Sequence, residues 1–201
     1  MPEPTTSQGF AQPGGERLPM PRSEAMNDAQ RAAAQALIDG PRKGVYGPFL
    51  PLLRSPDLME RVARIGEYLR FESTLDARVR ELSICAVARH VGNQFEWVMH
   101  APLARKAGVA AAAVEALRVG ARPQPLAADE QAALDFTQEL LRTNGVSDPT
   151  YAAAREALGE QGVVELASLA GYFAMVCWVM NVARTPAQAG ATEPGLDAFP
   201  A

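Results

Sequence analysis

With 201 residues, 48% hydrophobic and 21% charged, the chain can bury one full-sized core and lend a face to a partner, so a single domain is expected. A net charge of -4, a pI near 5.3 and the lack of any Lys/Arg cluster interleaved with aromatics exclude a phosphate-tracking surface, hence no nucleic-acid partner. The two cysteines, Cys85 and Cys177, each sit in an apolar stretch, which argues against a disulfide-stapled secreted domain and for a cytoplasmic location.

The chain opens on a Pro/Gly-rich segment, 1–25, that has neither a basic leader nor an apolar centre and so does not read as a secretory signal; it is expected to be a flexible or partner-draped arm. The helical domain is expected over 26–184. Asn27 or Asp28 caps a helix through DAQRAAAQALIDG, which Gly40 and Pro41 stop. Prolines at 48, 51 and 56 keep KGVYGPFLPLLRSP from forming a long helix, and its large apolar residues suit a lining loop. Ser55 is placed to cap the next helix, with Pro56 at its first position and Leu58, Val62, Ile65 and Leu69 recurring at helical spacing on one face.

A third helix, from about 76 to 91, is apolar or small at nearly every position from Leu82 to Ala88, as a central helix must be. Gly92 and Asn93 punctuate it. A fourth follows over QFEWVMHAPLARKAG despite Pro102, then helices over AAAVEALRVG and ADEQAALDFTQELLRTNG, one over DPTYAAAREALG capped by Ser147, and a long apolar helix from about 161 to 184. The uncharged stretch 166–183 is short for a membrane span and diluted by Ser168, Gly171 and Asn181, so a buried or interfacial helix is expected and no membrane partner. Strand signals are nearly absent. The expectation is an all-α bundle of about eight helices, ending in a Pro/Gly/Ala tail at 185–201.

Three polar residues stand out in these apolar helices: Glu81 on the central helix, and Glu96 and His100 on the next. Glu96 and His100 are i and i+4, about 40° apart around a helix, so their side chains can meet. A carboxylate beside an imidazole favours the charged ring and fixes its tautomer, while burial favours the neutral forms; together they set a proton affinity suited to general acid/base work. The same residues admit a plainer reading, because exposed i, i+4 Glu/His pairs are common and Glu81 has Arg78, Arg80 and Arg89 nearby in sequence. Glu81, His90, Glu96 and His100 also offer metal-ligand chemistry, but no His-Glu-x-x-His or paired Glu-x-x-His spacing supports a metal, and none is expected. Phe95, Trp97, Tyr172, Phe173 and Trp178 are candidates to line an apolar pocket, with Trp97 and Tyr172 favoured.

The segment RVRELSICAVARHVGNQFEWVMH resembles the core of the carboxymuconolactone decarboxylase and AhpD-like family, in which an Arg-Glu-Leu helix leads into a Cys-x-x-Cys-x-x-x-His helix. In AhpD-like members a glutamate stands twelve residues before the first cysteine, the interval that here separates Glu81 from Asn93. The resemblance then places Asn93 at the first cysteine, Glu96 at the second and His100 at the histidine; it spans about 47–184 and is strongest over 78–100. It implies an AhpD-like bundle of paired antiparallel helices assembled as a homo-oligomer, a trimer or hexamer, with the site between helices. Peroxidase or disulfide chemistry needs a thiolate, which carboxylate and amide oxygens cannot replace. Cys85, one turn beyond Glu81, is the one substitute, and it lacks a resolving partner. The family's lactone decarboxylases also lack the cysteine pair and use no cofactor. That resemblance implies a small-molecule acid or lactone as substrate, with His100 exchanging protons, Glu96 orienting it and Glu81 relaying. A carboxylate would want a cationic anchor, for which Arg89 and Arg78 are the nearest candidates beside their plainer reading as salt-bridge residues, and Asn93, Trp97 and Tyr172 are the further candidates at the substrate.

Overall fold

The computed structural model of the chain describes residues 15–187 and 191–197. Eight α-helices and no strands occur among them, in the order α1 (Asp28–Asp39), α2 (Phe49–Leu52), α3 (Pro56–Glu67), a π-helical turn (Tyr68–Glu72), α4 (Ala77–Val91), α5 (Gln94–Ala107), α6 (Ala111–Arg118), α7 (Ala128–Thr143) and α8 (Asp148–Ala183). The all-α bundle expected from the sequence is therefore observed. Of the N-terminal arm, residues 1–14 lie outside the described residues. Its remainder includes a short 3-10 turn at Ser23–Ala25, and Arg17 N–H donates to Ala183 O at 2.7 Å.

Local chemistry accounts for most of the boundaries. Asn27 and Gln30 form a reciprocal capping box at the start of α1. Asp76 caps α4 through Arg78 N–H, and Gly92, at φ 70°, ends that helix in the left-handed conformation that glycine adopts without a Cβ penalty. Asn93 Oδ1 then accepts from Glu96 N–H at 2.9 Å to start α5. Ser55 and Ser147 hold the N-cap positions of α3 and α8 without a side-chain cap bond; the amide and hydroxyl of Ser147 instead meet the Glu139 carboxylate. The stretch expected as a lining loop contains the one-turn helix α2, where Pro51 sits in the first turn and its missing N–H costs nothing. The two C-terminal helices are continuous in α8 but meet at a kink at Gly159, whose φ of 72° and ψ of 173° are non-helical.

α4 packs against α5, α7 and α8. It divides the core: Val79, Ile84 and Val87 join the cluster made with α1, α3 and α8, while Leu82, Cys85 and Ala88 join the cluster made with α5 and α6. A helix buried on both sides has no polar stripe, which is why its sequence reads as uniformly apolar. On α3 the buried face is Met59, Val62, Ala63 and Gly66, continued by Leu69 in the π turn. Leu58 and Ile65, expected on that face, are instead exposed. α8 is long and apolar enough to cross a membrane by length and composition alone; 61% of its most apolar window is buried inside the molecule. Its outer side carries exposed Val164, Trp178 and Val182. The C-terminal segment 191–197 lies across α5 and α6, with Leu196 in the second core cluster and Asp197 paired with Arg118 at 2.5 Å.

Candidate acid/base site

α4 and α5 pack as neighbours, and their three polar residues converge in the space between them. His100 Nδ1 lies 2.6 Å from Glu81 Oε2, and His100 Nε2 lies 3.2 Å from Glu96 Oε2. All three side chains are buried. The i, i+4 spacing on α5 brings Glu96 to one ring nitrogen, and the α4–α5 contact brings Glu81 to the other. The imidazole is thus bracketed by carboxylates on opposite sides, an arrangement that suits two N–H donors and cannot chelate one ion. Among the described residues no group of three or more His, Cys, Asp or Glu is placed to hold a metal.

The electrostatics follow from the geometry. Burial works against a charged His100, but the hydrogen bonds and charges of Glu81 and Glu96 outweigh it and hold the ring above its ordinary pKa. Burial likewise pushes Glu81 up, and the His100 bond, aided by Arg80 and Arg70, brings it below the ordinary carboxylate value. Arg80 Nε approaches Glu81 Oε1 at 3.4 Å. The opposite shifts of Glu81 and His100 favour a carboxylate–imidazolium pair, and Glu96 at the other ring nitrogen completes a hydrogen-bonded path through the ring.

Glu96 and His100 open onto a small cavity of about 50 Å³. Phe95, Tyr172 and Phe173 also line it, with the Phe173 ring edge-on to His100 at 5.2 Å and to Tyr172 at 5.2 Å. The Tyr172 phenol is pushed up to about 12 by burial, against the opposing pull of Arg42. Gly66 permits this packing: a Cβ there would overlap the Tyr172 hydroxyl and lie 2.8 Å from Arg42 Nη2.

Other residues expected at the site are placed elsewhere. Trp97 is fully buried in the second core cluster and donates its indole N–H to Pro194 O at 2.9 Å. Trp178 is on the outer surface. Asn93 is spent on structure, capping α5 and donating to Asn181 Oδ1 at 3.0 Å and Cys177 O at 3.3 Å. Arg89 is turned toward the C-terminal segment, where it donates to Asp197 O, and Arg78 is held by Asp129 at 2.9 Å and Glu130 at 3.2 Å. Neither arginine lines the cavity. Cys85 and Cys177 are buried, and burial raises both thiols well above the usual value, so neither presents a thiolate.

The cavity's cations are Arg42 and Arg70, which sequence reasoning passed over. Arg42 adjoins the stretch read as a lining loop, and that reading was the available signal. Arg70 belongs to a π-helical turn whose register no periodicity argument reveals.

The fold is shared with several solved structures. A peroxidase-related protein with an AhpD core from Ralstonia eutropha JMP134 superposes with a TM-score of 0.72 at 19% identity, over 87% of this chain and 93% of that one. A peroxidase-related protein from Silicibacter sp. TM1040 gives 0.70 at 16% identity, over 95% and 97%. The debrominase Bmp8, solved in complex with 2,3,4-tribromopyrrole, gives 0.66 at 12% identity, over 88% and 93%. No curated protein matches the chain. Residues 56–139, which hold the whole Glu81–His100–Glu96 array, match the model of the carboxymuconolactone decarboxylase family, and the chain has an AhpD-like fold without a Cys-x-x-Cys pair.

Proposed function

We propose that the protein is a cofactor-independent acid/base enzyme, a decarboxylase, lyase or isomerase, acting on a small organic acid or lactone. The observation that carries this reading is the buried imidazole held between two carboxylates, 2.6 Å from one and 3.2 Å from the other, at the wall of a cavity. In a decarboxylation the breaking C–C bond leaves its electron pair on carbon, and the imidazolium supplies the proton that quenches it, directly or through Glu96. In an isomerisation Glu96 takes a proton from carbon, the ring and Glu81 stabilise the change in charge, and the proton returns at a second position.

Turnover across a panel of lactones and carboxylic acids tests the reading. His100→Gln and Glu96→Gln should each cost about 10²–10⁴ in rate with folding unchanged. Parental rates in both variants would falsify the assignment. A second reading, a non-catalytic structural or ligand-binding oligomer, draws on the cavity size, since about 50 Å³ is well below the 300 Å³ or so of an ordinary substrate pocket. Binding without turnover over the same panel would establish it. We propose in addition that the chain assembles as a homo-oligomer through α8, on the support of exposed Val164, Trp178 and Val182. A monomeric mass in solution for the parent chain would dismiss that assembly.

A further inference from the structure

The cavity beside Glu96 and His100 is lined by two guanidinium groups, Arg42 and Arg70, each of which has a buried Nε without a hydrogen-bond partner. Arg42 is buried. Its Nη2 donates to Ala63 O at 3.2 Å, its charge lies over the Phe49 ring at 4.5 Å, and it hydrogen-bonds the Tyr172 hydroxyl. Its Nε faces Glu67 at 3.6 Å, beyond hydrogen-bond reach, and has no hydrogen-bond partner. Arg70 enters the same cavity from the π turn. Its Nε is also buried without a hydrogen-bond partner, and its guanidinium lies 5.0 Å from the Phe71 ring. A guanidinium has five N–H donors in a planar fork, and leaving buried donors idle is costly, so two such groups on one cavity form a receptor for a planar acceptor.

The sign of the charge agrees. Around the cavity stand Arg42, Arg70 and the imidazolium of His100 against the carboxylates of Glu96 and Glu81. The remaining charged neighbours offset each other, Arg80 on Glu81 and the part-exposed Glu67 near Arg42. One negative charge balances the set. A dianion would exceed it and meet the Glu96 carboxylate.

We infer that the cavity is a monoanion subsite in which Arg42 and Arg70 hold a carboxylate of the substrate or ligand beside Glu96 and His100. Resting on the acid/base reading for its place in a reaction, this assigns the substrate class as a carboxylate rather than a neutral lactone. Arg42 and Arg70 are then specificity residues, and Tyr172, bonded to Arg42, positions one of them. A cavity of about 50 Å³ admits a group of a few heavy atoms, so the carboxylate is the part of the ligand that enters it.

Binding measured without turnover separates this inference from the reading beneath it. The ¹⁵N-labelled full chain is titrated at fixed ionic strength with acetate, acetamide and inorganic phosphate, and the arginine Nε–H and histidine ring resonances are followed. Acetate should bind saturably, acetamide and phosphate at least about tenfold more weakly. Arg70→Gln and Arg42→Lys should each weaken acetate by about tenfold. His100→Gln, which removes the proton path and keeps both arginines, should still bind acetate, more weakly than the parent because the ring's charge is gone but more tightly than Arg70→Gln. Arg70 is partly exposed and its variant is expected to fold whether or not the Arg42 variant does. Acetamide or phosphate binding as tightly as acetate, or unchanged acetate affinity in Arg70→Gln, overturns the inference. Loss of turnover in His100→Gln with acetate binding retained leaves it standing.

Discussion

Gly66→Ala is a sharp test of how the site is packed, because helix propensity and tertiary packing give opposite signs. Gly66 lies inside α3, where replacing glycine by alanine ordinarily stabilises by about 1 kcal/mol. Here the added Cβ would sit 2.5 Å from Tyr172 Cζ and 2.8 Å from Arg42 Nη2, closer than real Cβ contacts come. Overpacking of this kind costs roughly 1–3 kcal/mol, and displacing the Tyr172–Arg42 hydrogen bond adds about 1 kcal/mol. Against the propensity gain, the variant should be destabilised by about 1–3 kcal/mol. Urea unfolding at fixed protomer concentration reads this as a lower midpoint at constant slope. The same substitution in a Tyr172→Leu background, where the ring that blocks the Cβ is gone and only the end of the Arg42 side chain must give way, should cost clearly less. Equal costs in the two backgrounds, or a raised midpoint in the parent, would show that α3 and Tyr172 do not meet as described.

Two further expectations concern charge. His100 should carry protons on both ring nitrogens at pH 7, visible in long-range ¹H–¹⁵N spectra and assignable because His90 is the only other histidine. Because its folded pKa is raised, its contribution to stability is complete below the ordinary histidine value and fades as pH rises through the folded one. Glu81, lowered, contributes above the ordinary carboxylate value and loses that contribution as pH falls through its folded value. A neutral single-tautomer ring at pH 7 would contradict the bracketed geometry. Glu165 should dominate the acid limb. Buried, it is nonetheless brought down to about 2 by hydrogen bonds from Thr74, Tyr68 and Gln161, so its contribution is present above about 4.5 and is lost as pH falls toward about 2. Glu165→Gln should cost about 2–4 kcal/mol near neutrality and flatten the acid limb. An unchanged stability profile would count against that clasp, which ties the Arg70-bearing π turn to α8.

Local signals made much of the bundle readable. Asn27 with Gln30, Asp76, Gly92 and Asn93 mark helix ends through bonds made within a few residues, and such bonds are written in the order of the chain. The i, i+4 step joins Glu96 to His100 by the same logic. Glu81 stands out as a polar residue in an apolar helix, but its meeting with His100 lies beyond local spacing, since eighteen residues of helix and turn separate the two.

Which apolar face each helix buries, and which arginines face the cavity, were decided by the folded molecule. Leu58 and Met59 are neighbours of similar size on α3, and only the direction from which α1 and α2 approach leaves one exposed and the other buried. Arg78 and Arg89 flank the site residues in sequence, yet Asp129, Glu130 and the C-terminal segment hold them, whereas Arg42 and Arg70 reach the cavity from a loop and a π turn. Periodicity records how a segment is arranged about its own axis. The partners that a side chain meets depend on long-range packing, where many residues settle their positions together.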